Sequence, residues 1–330
     1  MIFSDVFVRK FKDFMYAQRT QLAAVVIMLI ILIFFTAMYP EIFLNYDTYR
    51  ALFTIYTMVL ILACGLVFII TSGETDLSFP STVGLSLWVF SEIVTVTGYP
   101  FLALAGAIGS GLLVGFINGI LVTKVRLRSL GVTLGMNFLL RGLVNVGAGG
   151  EEISLIFLEG TAFSNMFVGH IMELPVQVLW GFGFFLICLL LFNKHRFGVH
   201  IRYVGDNRES AREAGVKVDR ARITAFMLLG FASAIVGVLS GLVSTFFWPY
   251  AGDGYLQTTM AAVFIGGTPT WGGVGTILGA ATGAFILTFL EAGILSIGLS
   301  EYYARFFFGL IIIIALISHK FSRMKRKGSK

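Results

Sequence analysis

Residues 196–222 read RFGVHIRYVGDNRESAREAGVKVDRAR and form the longest strongly polar run in an otherwise largely apolar chain. Charged residues at the centre of a bilayer cost several kcal/mol each, so this run must lie outside the hydrocarbon. Asn207 is a favourable N-cap and Gly215 is placed to end a helix, so the sequence predicts a short surface helix over 207–214. A soluble partner could press on such a helix, although the charges alone fit an ordinary basic loop.

Apolar residues make up 57% of the 330 residues and charged residues only 13%. This composition excludes a soluble globular domain. Most apolar runs reach the length of roughly 18 residues that is typical of a membrane-spanning helix. They predict ten spans, at 22–38, 51–71, 81–97, 101–123, 130–147, 175–192, 222–245, 257–268, 275–296 and 303–319. The eighth is short, and we expect it to be tilted or to form half of a hairpin buried in protein.

The basic residues fix the orientation of these spans. Twenty-one of the 24 lysines and arginines lie in four clusters, at 1–20, 124–128, 194–222 and 320–330. With a cytoplasmic N-terminus, ten spans place all four clusters and the C-terminus in the cytoplasm, as the positive-inside rule requires. The longest loop on the other side, 148–174, contains four glutamates and no lysine or arginine. Topology thus accounts for the net charge of +6, and no nucleic-acid partner is predicted.

The chain divides into three parts. Residues 1–20 place phenylalanines at helical spacing among basic residues, which predicts an amphipathic helix on the cytoplasmic membrane surface. Residues 21–319 are predicted to form a single transmembrane domain with a cytoplasmic loop at 193–222, and residues 320–330 a basic cytoplasmic tail. Small residues at every fourth position predict close helix packing; one such stripe comprises Ala103, Ala107, Gly111, Gly115 and Gly119.

No catalytic or metal-binding residues are predicted. The sequence lacks a Gly-x-x-x-x-Gly-Lys-Ser/Thr motif, so it has no P-loop of its own. The four histidines have neither metal-ligand spacing nor a Ser/Asp arrangement that would indicate hydrolysis. Cys64 and Cys188 each fall inside an apolar span, where a small buried apolar role is expected.

Polar residues within or beside the spans are the candidates for function. Such residues are costly in hydrocarbon, so they are expected to face the interior of the bundle. The predicted translocation path comprises Glu74, Asp76, Ser78, Asn118, Asn137 and Arg141, and Glu92 and Glu291 are further polar residues at membrane depth. Internal salt bridges or hydrogen bonds between helices are the alternative interpretation. Segments 72–80 and 266–275 are interrupted by Gly and Pro, as in the broken helices that line binding sites.

Five motifs then occur in unbroken order between about residues 45 and 318. They are Gly73-Glu74-Thr75-Asp76-Leu77-Ser78; Asn118–Val122; Val132–Gly135 with Arg141–Leu143; Gly205-Asp206-Asn207 with Ala211 and Ala214–Val216; and Ala261–Thr268 with Trp271–Thr276. Together they resemble the permease subunits of bacterial ABC importers for simple sugars, the ribose-type branch of a group that includes branched-chain amino acid permeases. Arg128, Phe79-Pro80 and Thr75 depart from the family pattern, which bears on the solute more than on the fold.

The resemblance implies an all-α bundle of the type II ABC importer kind in the bacterial inner membrane. It implies a second permease copy or paralogue, ATPase subunits that hold ATP and Mg, and a periplasmic solute-binding protein. The residues implied to couple to the ATPase are Gly205, Asn207, Arg208, Glu209, Ala211, Ala214 and Gly215. Pentoses, hexoses, sugar alcohols, nucleosides and furanosyl signals all remain open as solutes. The alternative function is an ion-gradient-driven transporter or channel that uses Glu74, Asp76 or Glu291 as a proton or ion carrier.

Overall fold

The computed structural model describes residues 19–172 and 174–328. The regular secondary structure of this part is helical apart from four two-residue strands. Most of the predicted amphipathic segment, 1–18, and the last two residues of the basic tail lie outside the described residues.

The helices of the first half are α1 (Arg19–Met38), α2 (Pro40–Phe43), α3 (Tyr46–Thr71), α4 (Phe79–Thr97), α5 (Pro100–Thr123), α6 (Ser129–Gly147) and α7 (Ala162–Val168). Those of the second half are α8 (Val176–Asn193), α9 (Arg196–Asp206), α10 (Arg208–Glu213), α11 (Val218–Ser244), α12 (Tyr255–Ile265), α13 (Ile277–Ser296) and α14 (Glu301–Gly328). The strands are β1 (Ile153–Ser154), β2 (His170–Ile171), β3 (Leu174–Pro175) and β4 (Phe246–Phe247), and a 3₁₀ turn covers Ile156–Leu158.

Each of the ten predicted spans falls on a helix, so the prediction of an all-α polytopic membrane protein is confirmed. Seven described helices are long and apolar enough to cross a membrane: α3, α4, α5, α6, α8, α11 and α13. The predicted short eighth span is α12, with 11 residues. At about 1.5 Å per residue, α12 reaches only about half the thickness of the hydrocarbon core. Its residues Ala261–Phe264 are buried inside the protein.

Helix α3 forms the centre of the bundle. Every residue from Thr57 to Thr71 is buried, which fits a helix that is apolar around its whole circumference. Its start is fixed by Asn45, whose side-chain oxygen accepts a hydrogen bond from the backbone N–H of Asp47 at 2.9 Å. Helices α8, α11, α12 and α13 pack around it.

The predicted stripe of small residues packs α5 against α11. A Cβ atom added at Gly111 would lie 2.9 Å from the side chain of Ala234, and one added at Gly119 would lie 2.9 Å from the Cα atom of Ile223. Only glycine therefore allows the two backbones to approach this closely, and close approach is what holds helices together in a membrane.

The two ends of the bundle differ in chemistry. Lys124 contacts Asp219 at 3.0 Å, so the basic segments 124–128 and 194–222 share one end, here called the basic end. Residues 148–172, 174–175 and 245–254 share the opposite end, here called the acidic end, where β1 pairs with β4 and β2 pairs with β3 in antiparallel fashion. The predicted separation of charge is thus present in the fold.

Candidate translocation and coupling site

The predicted helix in the polar run is present as α10. The side-chain oxygen of Asn207 accepts hydrogen bonds from the backbone N–H groups of Glu209 at 2.9 Å and Ser210 at 3.0 Å. Gly215 follows the helix with φ of +80°, a conformation that favours glycine. Glu209, Arg212 and Ala214 are exposed, whereas Ala211 is buried against its own chain. The surface that α10 and its C-cap residue, Ala214, offer to a partner therefore does not include Ala211.

The preceding helix, α9, was not predicted from the sequence. His195 caps it by accepting a hydrogen bond from the backbone N–H of Phe197 at 3.2 Å. Gly198, Ile201 and Val204 are its buried residues. Their spacing of three residues is a helical signal that the surrounding charges obscured. Helix α9 carries α10 against the bundle, so the polar run is a packed element.

Three separate segments meet where α9 ends. The backbone N–H of Gly273 donates a hydrogen bond to the carbonyl oxygen of Thr71 at 2.8 Å. A Cβ atom added at Gly272 would lie 2.8 Å from the carbonyl oxygen of Gly205 and 2.9 Å from the backbone nitrogen of Gly73. Here we call this contact the glycine junction, comprising Gly73, Gly205, Gly272 and Gly273. It joins the polar run directly to both interrupted segments, 72–80 and 266–275.

Glu74 adds a charged connection beside the glycine junction. Its carboxylate accepts hydrogen bonds from both Arg208 of α10 and Arg222 of α11. The side chain of Glu74 is 5% exposed and that of Arg222 is 8% exposed, whereas Arg208 is 47% exposed. The structure therefore places this predicted path residue in contact with α10, the helix predicted to couple to the ATPase.

Asp76, Ser78 and Asn118 lie together in a buried group. One carboxylate oxygen of Asp76 accepts hydrogen bonds from the backbone N–H of Ser78 at 2.6 Å and from its hydroxyl at 2.7 Å. The side-chain amide of Asn118 donates to the Ser78 hydroxyl at 2.8 Å. Burial raises the pKa of Asp76, and the hydrogen bonds from Ser78, Phe79 and Asn118 oppose this shift.

The remaining predicted path residues lie farther along α6. Asn137 accepts a hydrogen bond from the hydroxyl of Ser81 at 2.6 Å, which ties α6 to α4. Arg141 donates to the carbonyl oxygens of Pro249 at 2.9 Å and Ala251 at 3.1 Å, and it also pairs with Asp253. Arg141 thus holds the loop that follows β4 at the acidic end.

Glu92 and Glu291 lie away from the glycine junction and from the buried group around Asp76. The indole N–H of Trp88 donates a hydrogen bond to Glu92 at 3.1 Å, within α4. Glu291 lines a small cavity of about 220 Å³ together with Asp253 and Tyr255.

Sequence comparison identifies the kind of protein to which this fold belongs. The model of a family described as the permease component of branched-chain amino acid transport systems matches residues 48–316. The chain belongs to this permease family. The match covers both interrupted segments, α9, α10 and the residues that hold them.

Curated relatives of this permease cover most of its length. The ribose import permease of Escherichia coli K12 is 31% identical over 83% of this chain and 86% of the relative. An L-arabinose ABC transporter permease of Azospirillum brasilense is 28% identical, over 87% of this chain and 84% of the relative. A xylose/arabinose import permease of Sulfolobus acidocaldarius is 28% identical, over 81% and 76%. No solved structure matches the permease.

Proposed function

We propose that this chain is the membrane-spanning subunit of an ABC importer that moves a sugar or sugar-like solute into the cytoplasm. The relatives are permeases for ribose, L-arabinose and xylose or arabinose, which supports the solute class. The observation that carries the mechanism is the attachment of α9 and α10 to segment 72–80 through Glu74 and the glycine junction. The chain itself performs no catalysis in this proposal, since ATP and Mg are held by a separate ATPase.

The exposed surface of α10 is the proposed contact with the ATPase. Closure of the ATPase dimer would press on this surface and move α10 as a rigid body. Arg208 connects α10 to Glu74, and Arg222 connects Glu74 to the first turns of α11. The movement would therefore reach segment 72–80 and the start of α4, where Asp76, Ser78 and Asn118 are proposed to contact the solute.

The remaining partners follow the polarity of the bundle. The basic end is proposed to face the cytoplasm of a bacterial cell. The acidic end is proposed to face the periplasm and to receive a periplasmic binding protein. A second permease copy or a paralogue completes the importer. The path must offer only weak hydrogen bonds to the solute, because a tightly bound sugar would not leave.

The test uses the complex co-purified through a tag on this chain and placed in lipid discs. ATP hydrolysis is measured with and without sugar-loaded binding protein, and sugar uptake is measured in proteoliposomes. Ala214→Trp places a large side chain at the exposed C-cap of α10, so stimulated hydrolysis and uptake should both be lost while basal hydrolysis remains. Val125→Trp, at an exposed position of the other basic loop, is the matched control and should behave as the wild type. Full stimulation and uptake in the Ala214 variant would contradict the proposed coupling role.

One observation favours the second candidate function, an ion-coupled transporter. Asp76 is 3% exposed and has no salt-bridge partner among the described residues, as in a carboxyl group that binds and releases a proton. Uptake that continues after ATP depletion but collapses on addition of an uncoupler would favour this function. Uptake that stops on ATP depletion would favour the importer.

A further inference from the structure

A cavity of about 840 Å³ opens at the acidic end of the bundle. It lies between the first turns of α3, residues 159–170, the start of α8 and the end of α11. Its volume falls in the range of small-molecule sites, which is about 300–1,000 Å³. Its polar lining residues include Asp47, Arg50, Thr54, Asn165, His170 and Gln177. None of the residues that we assigned to the path or to coupling lines it.

Gln177 is the central polar residue of this cavity. Its side chain is buried, with the residue only 4% exposed, and its amide nitrogen donates a hydrogen bond to the Thr54 hydroxyl at 3.0 Å. The Thr54 hydroxyl in turn donates to the backbone carbonyl of Arg50 at 3.0 Å. The amide oxygen of Gln177 has no hydrogen-bond partner among the described residues. A buried acceptor without a donor is unfavourable. Because Gln177 lines the cavity, a small turn of its side chain would let this oxygen accept a hydrogen bond from a molecule there.

The charges around the cavity select against an anion. Arg50 donates a hydrogen bond to the ring nitrogen Nε2 of His170, which orients the guanidinium group at the cavity wall. The carboxylates of Asp47 and Glu159 also line the cavity, so one guanidinium group is outnumbered by two acids. A neutral molecule avoids repulsion by these carboxylates, which can accept hydrogen bonds from its hydroxyl groups.

The cavity also has an apolar wall. Leu242, Val243 and Pro175 contribute to its lining beside the polar residues. A sugar presents hydroxyl groups that donate and accept hydrogen bonds together with C–H surfaces that pack on aliphatic side chains. The mixture of amide, hydroxyl, carboxylate and aliphatic groups matches that chemistry.

We propose that this cavity is a receiving site for a neutral monosaccharide, which it binds weakly before the molecule enters the bundle. The amide oxygen of Gln177 accepts a hydrogen bond from one sugar hydroxyl, and Thr54 holds the Gln177 amide in place. The assignment of a sugar rests on the proposed function, whereas the position of the site rests on the cavity and its unpaired acceptor.

The experiment measures protection of a cysteine at the cavity wall. Asn165 lines the cavity and is exposed, so Asn165→Cys should react with a charged thiol reagent in the purified permease in lipid discs. The two native cysteines are fully buried. D-ribose and L-arabinose are the probes. Labelling should slow by roughly tenfold at a sugar concentration of about ten times Kd, because the unoccupied fraction is then about one tenth.

Three comparisons make the outcome decisive. Ser154→Cys, exposed at the same end but outside the cavity, should be labelled at the same rate with and without sugar. Gln177→Leu in the Asn165→Cys background should abolish protection, and Thr54→Val serves the same purpose where the leucine variant does not fold. Equal labelling of Asn165→Cys with and without either sugar would overturn the site. Protection that persists in the Gln177→Leu or Thr54→Val variant would also overturn it. So would sugar slowing the labelling of Ser154→Cys as much as that of Asn165→Cys.

This assay uses no ATP, ATPase or binding protein. A loss of coupling in the complex together with sugar protection of Asn165→Cys would therefore leave the receiving site in place. Normal coupling and sugar uptake without protection would overturn the receiving site alone.

Discussion

The shared carboxylate of Glu74 allows a quantitative prediction. Glu74→Gln keeps the shape of the side chain but leaves the guanidinium group of Arg222 without its counter-charge, and that side chain is only 8% exposed. Removing one partner of a buried ion pair costs about 3–5 kcal/mol. The pair with Arg208 contributes less than about 1 kcal/mol, because that side chain is 47% exposed and solvent screens its charge. We therefore expect Glu74→Gln to lower the free energy of unfolding by about 3–5 kcal/mol, mostly through Arg222.

The measurement is denaturant unfolding of the purified protein in mixed micelles, followed by tryptophan fluorescence. The double variant Glu74→Gln/Arg222→Gln removes both charges of the buried pair. Its loss of stability should therefore be smaller than the sum of the losses in the two single variants, by about 1–3 kcal/mol. Lys124→Gln breaks an exposed pair with Asp219 and is the control, with an expected change of about 0–1 kcal/mol. A loss below about 1 kcal/mol in Glu74→Gln, or strict additivity in the double variant, would refute this account.

Further predictions concern the other groups of the site. Burial raises the pKa of Asp76, so stability should be greatest below the ordinary pKa of a carboxyl group and should fall as pH rises towards the raised value. Asp76→Asn should remove this fall, which unfolding titrations across pH would detect. Gly205→Ala should abolish uptake, because its Cβ atom would collide with the backbone of Thr71; uptake assays test this. Cysteines at Ser154 and Ser210 test topology in intact cells, where an impermeant thiol reagent should label only the first.

The helices and the cap of α10 were predictable because their signals are local. A run of apolar residues sets the position of each span, and an Asn-to-Gly interval sets the ends of α10. The predicted tilt or burial of the eighth span also followed from length alone. Helix α9 is not evident from the sequence because its buried residues, Gly198, Ile201 and Val204, lie in the longest strongly polar run of the chain.

The partners of the polar residues were not predictable from the sequence. Glu74 and Arg222 are 148 positions apart, and Arg141 and Asp253 are 112 apart. Such contacts depend on how the helices pack, which periodicity and composition do not specify. The position of Arg141 in a span fits both a path residue and an internal salt bridge. Its three contacts with residues 249–253 favour a role in holding that loop.

The glycine junction explains why movement of α10 would be transmitted to the interior of the bundle. At Gly272 the backbones approach so closely that even a Cβ atom would lie 2.8 Å from a neighbouring carbonyl oxygen. Segments in such contact have no space in which to slide independently, and close-packed interiors transmit displacement. We therefore expect a displacement of α9 and α10 to move Gly73, and through it Glu74 and the buried group around Asp76. The hydrogen bond from Asn118 to Ser78 extends this connection to α5, whose glycine stripe packs on α11. Since α11 begins at the same basic end and carries Arg222, α10 is connected to the bundle through both segment 72–80 and α11.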